Sequence, residues 1–161
     1  MTNRISNAID VFLDAIENGT LAKGSCVACA VGNLVAKGMG ANLIKTTDYN
    51  ITCEIENTNW RELFITSGDK QYIYLEWLDD ERIKKCIKAT DFTWKELAKI
   101  EFAFETNTDI DYTDYNRFSK KEIRKDQVKG LEAVIQVMLD FDDCKDKVQE
   151  VFTSKVELIL V

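Results

Sequence analysis

The chain has 161 residues, enough for one domain (1–161) that buries a real core, with 45% hydrophobic and 30% charged residues; that balance excludes a disordered chain. The net charge of -7 speaks against grip on long nucleic acid, and no apolar run approaches the ~20 residues of a membrane span. Histidine is absent, which removes the commonest general base and metal ligand; proline is absent too, so Gly, Asn and side-chain caps must end the helices.

Residues 4–17 carry the clearest helical pattern. Ile5, Ala8, Ile9, Phe12, Leu13 and Ile16 recur at helical spacing, and Asn18-Gly19 supplies a stop. The stretch from Lys23 to Ala36 follows, small-residue and nearly apolar, with Ser25 as the expected N-cap and Gly38 as the stop. It predicts the central buried helix. Tyr49, Ile51, Cys53 and Ile55 alternate with polar residues and suggest a strand. Residues 58–66 read as a short helix and 67–70 as a turn. Residues 71–78 are either a second strand, paired with the first as a hairpin, or the start of a helix that runs through 79–88.

The second half is more regular. Thr93 with Glu96, and Ser119 with Glu122, are capping boxes that open two helices. The second helix is the longest and carries Gly130, which points to a close crossing. A polar loop spans 107–116, and Asp142 or Asp143 caps a last helix. The fold class expected is mainly α, a compact helical domain of about six helices, with a small β-hairpin in the middle region as the open alternative.

Two blocks, residues 23–34 and 97–105, resemble small accessory proteins of phages infecting Bacteroidetes-type bacteria. The resemblance implies a setting, the infected host cell, and assigns no activity and no functional residue.

Chemistry-bearing residues fall into four groups. Cys26 and Cys29 form C-x-x-C at the expected helix start, where the helix dipole lowers a thiol pKa; metal and redox readings compete with plain packing. A zinc site would need further ligands from Cys53, Cys86, Cys144 or carboxylates, none of them at metal spacing, so no metal and no cofactor is expected. Lys23, Gly24 and Ser25 suit an anion cradle at that helix start, against the plainer reading of an ordinary cap. Asp109, Asp111, Asp114 and Glu122 approach an EF-hand loop, but Asn116 stands where the loop needs Gly.

The fourth group is the dense basic cluster of Arg117, Lys120, Lys121, Arg124 and Lys125, preceded by Tyr112 and Tyr115. It could grip a phosphorylated small molecule by charge and stacking, or be a solvated face relieved by Glu122 and Asp126.

The case for an enzyme is weak. The leading expectation is a non-catalytic binding protein, cytoplasmic and homo-oligomeric, capturing an anionic nucleotide-derived molecule such as a host defence signal. Its ligand-binding candidates are Lys23, Gly24, Ser25, Tyr112, Tyr115, Arg117, Lys120, Lys121 and Arg124. One alternative is a protein-interaction module acting on a host protein; another is a Cys-based metal or redox protein. The start, Met1 to Asn7, lacks the layout of a signal peptide, and no membrane partner is expected.

Overall fold

The computed structural model describes residues 3–25, 28–41, 43–45, 51–53, 65–67, 70–72, 81–141, 152–153 and 156–157. The architecture is mainly helical. Helix α1 spans Asn3–Asn18 and α2 spans Ala30–Gly38. Among the described residues four short strands follow: β1 Leu43–Lys45, β2 Ile51–Cys53, β3 Ile65–Ser67 and β4 Lys70–Tyr72. Then come α3 Glu81–Ala89, α4 Trp94–Asn107, a 3₁₀ helix Tyr112–Arg117 and α5 Lys120–Met138. Residues 152–153 and 156–157 are helical, with Phe152 and Val156 buried; the rest of the expected last helix, with its cap at 142 or 143, lies outside the described residues.

The apolar stripe of α1 goes where its spacing sends it: Ile5, Ala8, Ile9, Phe12, Leu13 and Ile16 are all buried. Gly19, at φ 70°, ends the helix by donating its amide to the Ile16 carbonyl at 3.2 Å, and the Thr20 amide reaches the Ala15 carbonyl at 2.8 Å. The α1 stripe packs on α2 and α5, while α2 also meets α3 and α4. Among the described residues the most extensive pairing joins α4 to α5. Phe12, Phe104, Leu97, Ile100, Leu131 and Ile135 fill the middle of this core.

Both capping boxes form. Thr93 Oγ1 accepts from the Glu96 amide at 3.2 Å while Glu96 Oε2 accepts from the Thr93 amide at 2.9 Å. Ser119 and Glu122 repeat the exchange at 3.2 and 2.7 Å. Glu96 has a second partner: it takes the Arg4 guanidinium in a fork at 2.8 and 3.1 Å, tying the start of α1 to the start of α4.

The start of α2 departs from expectation. Ser25 is not its N-cap. The Ser25 carbonyl closes a single turn, accepting from the Ala28 and Cys29 amides at 3.1 and 2.8 Å, and the chain then breaks at Cys29, where ψ is 174°. Cys29 caps α2 instead, its Sγ accepting from the Gly32 amide at 3.2 Å. Buried Asn33 holds this break in place. Its Nδ2 donates to the carbonyls of Thr20, Ala28 and Cys29 at 2.9, 3.0 and 3.0 Å, so these acceptors leave water with a partner.

The middle region also differs from the sequence reading. β1 pairs antiparallel with β2, Leu43 opposite Cys53, and β3 with β4, Ile65 opposite Tyr72. The hairpin of 49–55 with 71–78, one of two open alternatives, is not formed among the described residues, where each strand pairs with its neighbour across a shorter loop. Ile65 and Thr66, placed in a helix by the sequence pattern, are in β3. The remainder of that expected helix, 58–64, and residues 73–78 lie outside the described residues. Helix α3 occupies the span expected at 79–88, at Glu81–Ala89.

Candidate functional site

The structure splits the nine candidate residues into three sets. Lys23, Gly24 and Ser25 form the first, and they are engaged within the chain. Lys23 Nζ donates to the Thr108 carbonyl, and the Lys23 carbonyl accepts from the Tyr112 amide at 3.1 Å. The Gly24 amide donates to the Glu105 carboxylate at 3.2 and 3.3 Å. Gly24 sits at φ 82°, and a Cβ there would overlap the Asp111 carboxylate. The expected cradle thus loses its premise, a helix beginning at Ser25; the anion its Gly24 amide meets is Glu105. Neither Lys23 nor Gly24 faces the cavity described below.

Tyr112, Arg117 and Lys121 form the second set. Tyr112 is half-buried and packs against Ala22, Ala28 and Tyr115. Arg117 pairs with Asp114 at 3.2 Å, and Lys121 is exposed. The 108–118 segment around them is more tightly bound than a solvated loop. Asp126 accepts from the amides of Asp109 and Ile110, both at 2.9 Å at closest, and Lys129 pairs with Asp109. Asp111 caps the 3₁₀ helix through the Thr113 amide at 3.0 Å. The Lys129 ammonium beside it holds the Asp109 carboxyl below its ordinary range.

Tyr115, Lys120 and Arg124 form the third set, and these converge. They line a cavity of about 320 Å³ together with Phe118, Ile123 and Gln127 on one side and Ile16, Glu17, Asn18 and Gly19 on the other. Its two walls are therefore the C-terminal end of α1 and the first turns of α5. Both termini are fixed locally, by the Gly19 cap and by the Ser119–Glu122 box, so the walls are held by caps and not by loops.

The floor is a buried polar knot. Tyr115 Oη donates to the Leu21 carbonyl at 3.3 Å, and Gln127 Nε2 reaches both that carbonyl and Tyr115 Oη. Burial pushes the Tyr115 hydroxyl up to about 12, so it stays protonated at neutral pH. At the rim stands Phe118, 41% exposed and the one large hydrophobic residue in that condition among the described residues.

Arg124 is the group with unspent chemistry. Its Nε is buried and finds no hydrogen-bond partner among the described residues. A buried donor without a partner costs about 1–3 kcal/mol, more when the group is charged. Arg124 also lines the cavity, and a guanidinium takes phosphate or carboxylate through two parallel N–H groups. Lys120 adds a second positive charge and Glu17 a single negative one, leaving the lining net positive in a chain of net charge -7.

A second cavity, about 430 Å³, lies between α1, α2 and the end of α3. Its carboxylates Asp10, Asp14 and Asp91 outnumber Arg4 and Lys37, and Arg4 is already committed to Glu96. It is a poor host for an anion.

Cys29 is held in the opposite state to that expected at a helix start. Burial pushes its thiol well up and the neighbouring Glu101 carboxylate pushes in the same direction, outweighing the Gly32 amide. A neutral, buried thiol is a weak nucleophile and a weak metal ligand. Cys26 lies outside the described residues.

Sequence reasoning missed Glu17, Asn18, Phe118 and Gln127. Phe118 and Gln127 flank the basic cluster in the chain and were within reach of a pattern search, whereas Glu17 and Asn18 enter the site only through the packing of α1 on α5. Among the described residues no helix is long and apolar enough to cross a membrane. No protein-family model, no curated protein and no solved structure matches this chain.

Proposed function

We propose that this chain is a non-catalytic binding protein that captures an anionic, nucleotide-derived small molecule between the end of α1 and the start of α5. The observation that carries this reading is the convergence of Arg124 and Lys120 in one cavity with the Phe118 ring. Charge holds the anion and the ring receives a flat base, the combination that serves phosphorylated aromatic ligands elsewhere. The lining carries no histidine, and its hydroxyl, Tyr115 Oη, is protonated and bonded to Leu21, so it offers binding groups without an activated nucleophile. Capture without turnover suits a sink for a host signal in the setting that the phage resemblance implies.

Isothermal titration with a panel of linear and cyclic nucleotides tests the proposal. Heat with at least one of them is expected, lost when Lys120→Ala and Arg124→Ala are combined. Silence across the panel overturns it. The exposed Phe118 ring favours a second reading, docking of a host protein at this rim, which a stoichiometric partner lost on Phe118→Ser would support.

A further inference from the structure

We infer that the ligand of this cavity is a single-phosphate nucleotide whose base carries an exocyclic amine, and not a dinucleotide or a triphosphate. The inference rests on reading the cavity as an anion site. Three features of the cavity set this class.

Size comes first. At about 320 Å³ the cavity stands at the small end of the ~300–1,000 Å³ range of small-molecule sites, room for one nucleotide. Phe118 offers a single ring at the rim, and one ring stacks one base.

Charge comes second. The ionised groups of the lining are Lys120, Arg124 and Glu17, two positive and one negative. One phosphate is matched by the two cations. The further phosphates of a triphosphate exceed them and press against Glu17.

Polarity comes third and is the most selective. The wall opposite the cations is the last turn of α1, which contains Glu17 and Asn18 and no basic residue. The Glu17 carboxylate is the anionic acceptor this wall contributes to the lining. Donors on the ligand are what this wall receives. The site is therefore bipolar: cations that suit an oxyanion come from α5, a carboxylate that suits an N–H donor comes from α1, and the Phe118 ring is part of the same lining. An amine-bearing base with one phosphate carries both groups.

Titration calorimetry on the full chain provides the test. The probes are adenosine, guanosine and cytidine 5′-monophosphates, each beside the analogue in which hydrogen replaces the amine, plus adenosine triphosphate and a cyclic dinucleotide. The best monophosphate is expected to bind about tenfold more tightly than its amine-free analogue, the worth of one charge-assisted hydrogen bond. It should also bind more tightly than the triphosphate and the cyclic dinucleotide. Glu17→Gln should narrow the gap between the amine and amine-free pair while retaining binding, whereas Arg124→Ala should abolish binding of both. Equal binding of amine and amine-free analogues, or tighter binding of the dinucleotide or triphosphate, overturns this inference and leaves the anion site standing. Absence of heat with every probe overturns both.

Discussion

Tyr115 makes the clearest statement a single residue makes about this protein. Its hydroxyl is buried, donates to the Leu21 carbonyl across 94 residues of chain, and is pushed up to about 12 by loss of water. A group whose folded pKa exceeds its unfolded value of about 10 contributes fully below pH 10, and that contribution is lost as pH rises from 10 through 12. Denaturant melts of the wild type should therefore lose on the order of 2 kcal/mol over that window beyond what Tyr115→Phe loses. Identical pH profiles for the two proteins would contradict the buried hydroxyl. Asn33 is the second such residue. In Asn33→Ala the Ala28 and Cys29 carbonyls keep the amides of residues 22 and 33 while the Thr20 carbonyl loses its Nδ2 donor, and urea melts should show a loss of about 2 kcal/mol. A loss below ~1 kcal/mol would mean that water takes over the role.

At the scale of elements, what the sequence discloses depends on how far apart the determining residues lie. The capping boxes at Thr93–Glu96 and Ser119–Glu122 are complete within four residues and are legible as written. The α1 stripe is legible for the same reason, since periodicity is local. The start of α2 is not. By composition Ser25 is the better cap, and the choice of Cys29 is made by Asn33 reaching back and by Glu105 and Glu101 of α4 taking the Gly24 and Val31 amides. Gly130 is an intermediate case. Its cost to a long helix announces a close crossing, and the structure supplies the partner: a Cβ would overlap Thr108 Cγ2 and stand 2.9 Å from the Phe104 ring. Two effects oppose each other in Gly130→Ala. Helix propensity returns about 1 kcal/mol, while overpacking against a buried ring costs roughly 1–3 kcal/mol. We expect net destabilisation of about 1 kcal/mol in thermal melts, and a stabilised variant would show that α4 and α5 can separate at no cost.

At the scale of the whole molecule, the basic cluster read from sequence as one surface is divided by the fold. Lys120 and Arg124 face the cavity, Arg117 is spent on Asp114, and Lys121 points to solvent, because residues one apart on a helix cannot share a face. The opposite wall comes from Glu17 to Gly19, distant in sequence and chosen by how α1 packs on α5, which no local pattern announces. The Lys23–Ser25 segment, by contrast, is a structural knot tied to α4 and to the 3₁₀ helix. These two assignments make the central claim, that the site lies between the end of α1 and the start of α5. Backbone amide shifts recorded by heteronuclear NMR during titration with nucleoside monophosphates test it most directly. The account predicts perturbations concentrated at Glu17–Gly19, Phe118–Arg124 and Gln127, with Lys23–Ser25 unmoved. Shifts centred on Lys23–Ser25, or none at saturating nucleotide, would contradict it.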